Sequence, residues 1–184
     1  MLWWVILIIV LIALFLIMLV SYYNRFVVLA NRISNSLAQI NVQLKRRADL
    51  IPNLLETVKG FAKHEKAAIK AVTDARKALV SAKGVVDKVK ANNQLEGALK
   101  TIFAIAEGYP DLKANTNFLE LQRELASTED KVAYSRQFYN DSILSYNNMV
   151  QKFPGMMFAS IFGRKEKEFF KIEAVDMKLP KVAF

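Results

Sequence analysis

The sequence predicts an all-α protein, an N-terminal transmembrane helix continuing into a long antiparallel helix bundle. Three observations predict it. Residues 2–20 form an unbroken apolar run with no charged side chain. Beyond it, apolar residues recur three and four apart over most of the chain, the rhythm of helices that pack along a seam. Only 6 glycines and 4 prolines occur in 184 residues, which argues for long uninterrupted elements rather than turn-rich β structure.

The apolar run comes first. About 20 helical residues at 1.5 Å each cross the ~30 Å hydrocarbon core of a bilayer. Fifteen of residues 2–20 are Leu, Ile, Val or Phe, contributing on the order of −5 to −9 kcal/mol to insertion. Trp3 and Trp4 stand at one end, Tyr22 and Tyr23 at the other, with Phe15 inside the run; paired aromatics are what membrane–water interfaces favour. A signal peptide needs a basic start and a small-x-small cleavage site, and Met1-Leu2-Trp3-Trp4 and Leu19-Val20-Ser21-Tyr22 supply neither. A retained single-pass anchor is expected. Arg25 and Arg32 soon follow it, so the positive-inside rule puts the N-terminus outside and the bundle in the cytoplasm.

Past the span, Phe26, Ala30, Ile33, Leu37, Ile40 and Leu44 follow a heptad seam. Asp49-Leu50-Ile51-Pro52 interrupts it, since proline cannot donate to the carbonyl four residues back, so a helix kinks or starts there. Leu55, Val58, Ala62, Glu65, Ile69, Val72, Arg76 and Leu79 resume the rhythm, with Glu65 and Arg76 as its polar members. Residues 81–93 read as a connection, and a shorter helix is expected over about 94–107, with Leu95, Leu99, Ile102, Phe103 and Ala106 on its apolar seam. Gly108-Tyr109-Pro110-Asp111 forces a turn. A last long helix over about 116–151 carries Phe118, Leu121, Leu125, Thr128, Val132, Tyr139, Ile143, Tyr146 and Val150, and Phe153-Pro154-Gly155 ends it. Three segments result: a span over 1–20, an antiparallel bundle over 21–153, and an apolar and basic tail over 154–184.

An even number of crossings returns the chain to the bilayer. There Met156, Met157, Phe158, Ile161 and Phe162, followed by Arg164 and Lys165, are too short to span. They can lie in the interface with the basic residues on headgroups, or cap the bundle core or a subunit contact. Both readings stand at this point.

The net charge of +9 falls wholly on residues 21–184. Lys45-Arg46-Arg47 invites a membrane-surface reading, but it lies about 38 Å up an upright helix from Val20, several Debye lengths of ~8 Å away. Cations before Pro52 suit a helix C-terminus, and Glu120, Glu124, Glu129 and Asp130 are available partners. No aromatic interleaving accompanies the charge, so nucleic acid is not an expected partner. With no cysteine and one histidine, His64, there is no disulfide, thiol nucleophile or ordinary zinc set. The carboxylates do not converge: Glu107 and Asp111 sit across a turn, and Glu129 and Asp130 point apart. No metal, cofactor or enzymatic activity is expected.

Residues 43–65, from Gln43 through Arg46, Arg47, Asp49, Pro52 and Asn53 to Glu65, resemble the LemA family of bacterial membrane proteins. So do Glu107-Gly108-Tyr109-Pro110-Asp111-Leu112-Lys113-Ala114-Asn115 and a third block with Phe118, Arg136, Tyr139-Asn140, Tyr146-Asn147 and Phe153-Pro154. Gly108 and Ala38 depart from residues common at those places in the family. The resemblance implies an inner-membrane-anchored antiparallel helix bundle without a settled enzymatic activity, and supplies no catalytic residues. One branch is associated with magnetosome formation, which implies a part in organising or remodelling membrane.

Two functions fit these features. One is a self-associating scaffold whose partners are the lipid bilayer and further copies of itself, because the seams, the Phe138/Tyr139/Tyr146 stripe and the apolar tail exceed what one slim bundle hides. The other is a monomeric tethered adaptor holding a protein partner at its far end, around Arg46, Arg47, Asp49, Tyr109 and Asp111. For those residues a structural role, with Pro52 packed on the Tyr109-Pro110 turn, needs no ligand.

Overall fold

The computed structural model describes residues 2–170. Helices α1 (Leu2–Phe61), α2 (Lys66–Ser81), α3 (Val85–Ala106), α4 (Pro110–Lys113), α5 (Thr116–Gln151) and α6 (Gly155–Ile161) follow one another, with no strand among the described residues. They pack as two compact units. The first holds described residues 2–38 and 137–169, the second 39–136 and 170. Both α1 and α5 therefore contribute to each.

In the second unit the seam residues are the core. Ile40, Val58, Val72, Leu95, Ile102 and Val132 are fully buried, joined by Ile51, Leu54 and Leu112. Burying a side chain of this size stabilises by about 1.5–3 kcal/mol, which is why the three-and-four rhythm dictates the packing. The contacts fix helix directions. Lys88 Nζ donates to Asn41 Oδ1 at 2.7 Å and Arg47 Nη1 to Asn92 Oδ1 at 2.9 Å, so α3 runs parallel to α1. Arg46 near Glu124, and Leu50 to Phe61 beside Asn115 to Glu124, make α5 antiparallel to it. Asn115 starts α5 by accepting the Phe118 N–H at 3.1 Å, an N-cap that satisfies one orphan donor of the first turn.

Two expected boundaries move. Pro52 neither breaks the helix nor begins one, because α1 continues to Phe61 and the chain reverses at Ala62–Glu65. The carbonyl that Pro52 leaves without a donor is that of Ala48, four residues back, and Arg76 Nε of α2 donates to it at 2.8 Å. A charged donor from a neighbouring helix fills the gap in the ladder. For the same reason the basic triplet does not sit at a helix C-terminus. The second change is α3, which begins at Val85 rather than near residue 94. Asn92, which reads as a loop residue, is fully buried as the acceptor for Arg47.

In the first unit, Phe26, Ile143 and Tyr146 are buried, and Ser36 and Ser142 face each other at 3.3 Å. The aromatic stripe is not surplus surface: Tyr139 and Tyr146 are buried, and the Arg32 guanidinium lies 5.1 Å from the Phe138 ring centre. Residues 2–18 are exposed throughout, and α1 is the one helix among the described residues long and apolar enough to cross a membrane.

Candidate functional site

The exit of the span is built by α1 and α6 together. Trp3 and Trp4 are exposed, and twenty residues of helix carry the chain about 30 Å from Trp3 to Tyr23, the thickness of a hydrocarbon core. At that outer end Phe158 stacks on Tyr22, ring centres 4.6 Å apart, and lies 6.1 Å from Phe15. Phe162 meets Tyr23 edge-on at 5.3 Å and Phe26 at 6.4 Å. Offset and edge-on aromatic pairs each contribute about 0.5–1.5 kcal/mol beyond the area they bury.

Glycine makes the approach feasible at the start of α6. A Cβ on Gly155 would stand 2.2 Å from the Met149 carbonyl oxygen, so any other residue would push α6 off α5. Gly163, at φ +61°, ends the element in the left-handed region that glycine favours. Beyond it Asn147 holds the returning chain twice: its Nδ2 donates to the Lys167 carbonyl, and its Oδ1 accepts the Lys167 N–H, both at 2.9 Å. The Lys167 ammonium lies 5.5 Å from the Tyr146 ring centre.

The apolar tail thus divides. Phe158 is buried on α1 and Phe162 is half-buried, whereas Met156, Met157 and Ile161 are each more than half exposed and Phe153 is 77% exposed. Arg164 is half-buried and Lys165 exposed. One side of the segment therefore packs on the unit, with Phe158 stacked on Tyr22, and the other side is exposed.

The remaining motif residues make several separate polar contacts. Arg47, 3% exposed, is ion-paired with Glu129 besides its bond to Asn92. Arg136 lies under the Phe170 ring, 5.0 Å from its centre, and burial pushes its guanidinium below its ordinary value while Glu129 and Glu96 pull it back up. Arg46 and Glu124 make a 3.6 Å surface pair. Tyr109 does not cover Pro52, which is exposed; its hydroxyl donates to Glu65 Oε1 at 3.0 Å, and that bond chiefly raises its pKa. Lys113 pairs with Glu107, Pro110 opens α4, and Asp49, Asn53 and Asp111 are exposed. Tyr139 is buried, which raises its hydroxyl pKa, and Asn140 beside it is half-buried. His64 is exposed in the α1–α2 turn, and no group of three His, Cys, Asp or Glu among the described residues can hold a metal ion.

Two of these roles have a trace in the pattern. Glu65 and Arg76 are the polar members of an apolar seam, and each proves to be a donor or acceptor for a distant element. The sequence is matched over residues 36–184 by the model of the LemA family. The chain belongs to the LemA family. Among its relatives is the magnetosome protein MamQ of Magnetospirillum gryphiswaldense, 26% identical, with 85% of this chain and 67% of MamQ covered. Magnetosome protein MamQ 2 of Paramagnetospirillum magneticum is 24% identical over the same shares. Protein LemA of Metamycoplasma hominis is 27% identical over 67% of this chain and 57% of its own length. The span, residues 1–20, lies outside the matched family region, whereas the Arg47 cluster and α6 of this LemA-family chain lie inside it.

Proposed function

We propose that this chain is a non-enzymatic, self-associating scaffold anchored in the bacterial inner membrane, with its bundle cytoplasmic, which organises or remodels the bilayer. The observation that carries the reading is α6. A short helix is clasped to the end of the span while Met156, Met157 and Ile161 point outward at the same depth. Such a wedge adds apolar volume to one leaflet at the headgroup boundary, and copies brought side by side would sum the effect. The exposed Val42, Val80 and Val86 of α1, α2 and α3 offer apolar surface for lateral contact. Relatives named for the magnetosome agree with a role of this kind.

The test is the detergent-corrected particle mass of the full chain across a dilution series. A discrete assembly of many subunits is expected; a mass near one 20.9 kDa chain overturns the scaffold. The wedge is tested separately with M156D/M157D/I161D, which spares the buried Phe158 and should reduce vesicle deformation without unfolding.

A monomeric adaptor is the second reading. A groove of about 640 Å3 favours it, lined in the second unit by Leu50, Asn53, Phe61, Asn117, Glu120 and Leu121. A monomer of unchanged mass that loses a partner on Phe61→Asp would select this reading.

A further inference from the structure

Within the first unit, α1 just beyond the span and the last turns of α5 enclose a groove of about 400 Å3. Tyr22, Arg25, Ser145, Asn148, Lys152 and Phe153 line most of it, and no acidic side chain among the described residues does. Arg25 and Lys152 are both exposed, two cations facing one cavity with no carboxylate among the described residues that line it. The Ser145 hydroxyl donates to the Asp141 carbonyl at 2.8 Å and keeps its oxygen lone pairs as acceptors. The half-buried Asn148 amide brings both donors and an acceptor. Gly155 and Met149 are also part of the lining.

Depth decides what the groove is for. Along α1, Tyr22 and Tyr23 close the ~30 Å hydrocarbon stretch that opens at Trp3, and Arg25 lies about 3–4.5 Å farther along. A bilayer measures about 40–45 Å with its headgroups, so that layer is about 5–7 Å deep on each side. Arg25 therefore lies at the level of lipid phosphates and Tyr22 at the edge of the acyl chains, with Lys152 and Phe153 lining the same groove.

We infer that this groove binds the headgroup of an anionic phospholipid. Arg25 and Lys152 hold the phosphate, Ser145 and Asn148 meet the glycerol or headgroup hydroxyls, and Tyr22 and Phe153 lie against the upper acyl carbons. A free phosphate offers the same charge but leaves the exposed Phe153 ring, which already forms one edge of the groove, without an apolar partner. The inference deepens the membrane reading and rests on α1 crossing the bilayer; it does not require self-association.

The test uses the full chain in mild detergent, titrated with phosphatidylglycerol or phosphatidylcholine and followed by native mass spectrometry. The wild-type chain should retain phosphatidylglycerol selectively. R25Q/K152Q should weaken that retention by about fivefold for each cation and about thirtyfold for the pair, leaving phosphatidylcholine unchanged. S145W, which fills the groove and keeps both charges, should lose the lipid as well. The control K59Q/K63Q removes two exposed cations of the second unit and should change nothing. Equal retention of both lipids, an equal loss in the control, or undiminished binding by S145W overturns the site, as does full displacement by millimolar inorganic phosphate. Circular dichroism of each variant separates lost binding from lost folding. Alkaline carbonate extraction from vesicles isolates the underlying assumption: a chain that is released has failed as an anchor, whereas a retained chain that ignores phosphatidylglycerol has failed only at the groove.

Discussion

Replacing Arg76 by methionine keeps much of the apolar stem and removes the donor that serves the Ala48 carbonyl. Ala48 is 1% exposed and the Arg76 bond is 2.8 Å long, so water has little access to the abandoned oxygen. Hydrogen bonds to charged groups contribute about 1.5–3 kcal/mol, and an orphaned buried acceptor costs a similar amount. R76M should therefore destabilise by about 2 kcal/mol, a fall of about 4–8 °C in melting temperature for a chain of this length. The decisive comparison is with Pro52→Ala. That substitution restores the backbone N–H that reaches Ala48, so Arg76 loses its special acceptor. In the P52A background R76M should cost under about 1 kcal/mol, giving a coupling energy of about 1–2 kcal/mol in a double-mutant cycle. The cycle is read from urea or thermal unfolding of the full chain in mild detergent. Equal losses in the wild-type and P52A backgrounds would refute the reasoning and reduce Arg76 to an ordinary surface cation.

Further outcomes follow from other contacts. Gly155→Ala places a Cβ 2.2 Å from the Met149 oxygen and should displace α6, so Tyr22–Phe158 stacking is lost and the melting temperature falls by several degrees. R47M strips the partner from Glu129 in a largely buried pair and should cost about 3 kcal/mol, whereas R47M/E129L should recover part of that loss. N147L removes both bonds to Lys167 and should speed tryptic cleavage at Arg164, Lys165 and Lys167 while cleavage within α2 stays unchanged. Tyr109, whose pKa the Glu65 bond raises above its ordinary 10.0, stabilises fully below that value and loses its contribution as pH rises through the raised one. Y109F should therefore melt below wild type at neutral pH and match it in strong alkali.

Much of this architecture is legible in the spacing of apolar residues, because a helix face repeats every three to four positions and burial enforces the repeat. Phe26, Ile33, Ile40, Val58, Val72, Leu95, Leu125 and Ile143 are seam residues on paper and core residues in the fold. What the spacing hides is help from a distance. Pro52 reads as an interruption because its missing bond is visible locally, while the donor that replaces it stands 28 residues from Ala48 on another helix. Asn92 reads as a loop residue because only the buried Arg47 makes an amide useful there. The tail reads as ambiguous because its two faces have different fates, and a seven-residue helix has too few turns for a periodic signal. The groove at the end of the span escapes notice for a related reason: Arg25 and Lys152 lie far apart in the chain, and neither belongs to a conspicuous motif.

The continuity of α1 has a mechanical consequence. No break or glycine falls between Leu2 and the Ser36 contact with Ser142, so the span and the body of the first unit share one rigid axis. A helix adapts to a thicker or thinner bilayer mainly by changing its tilt. Here any tilt must swing the end of α5 and the clasped α6 with it, and under the proposed function that alters the angle at which Met156, Met157 and Ile161 meet the leaflet. The anchor of the proposed scaffold then works as a lever arm, which translates local membrane thickness into the attitude of the wedge beside Tyr22 and Tyr23.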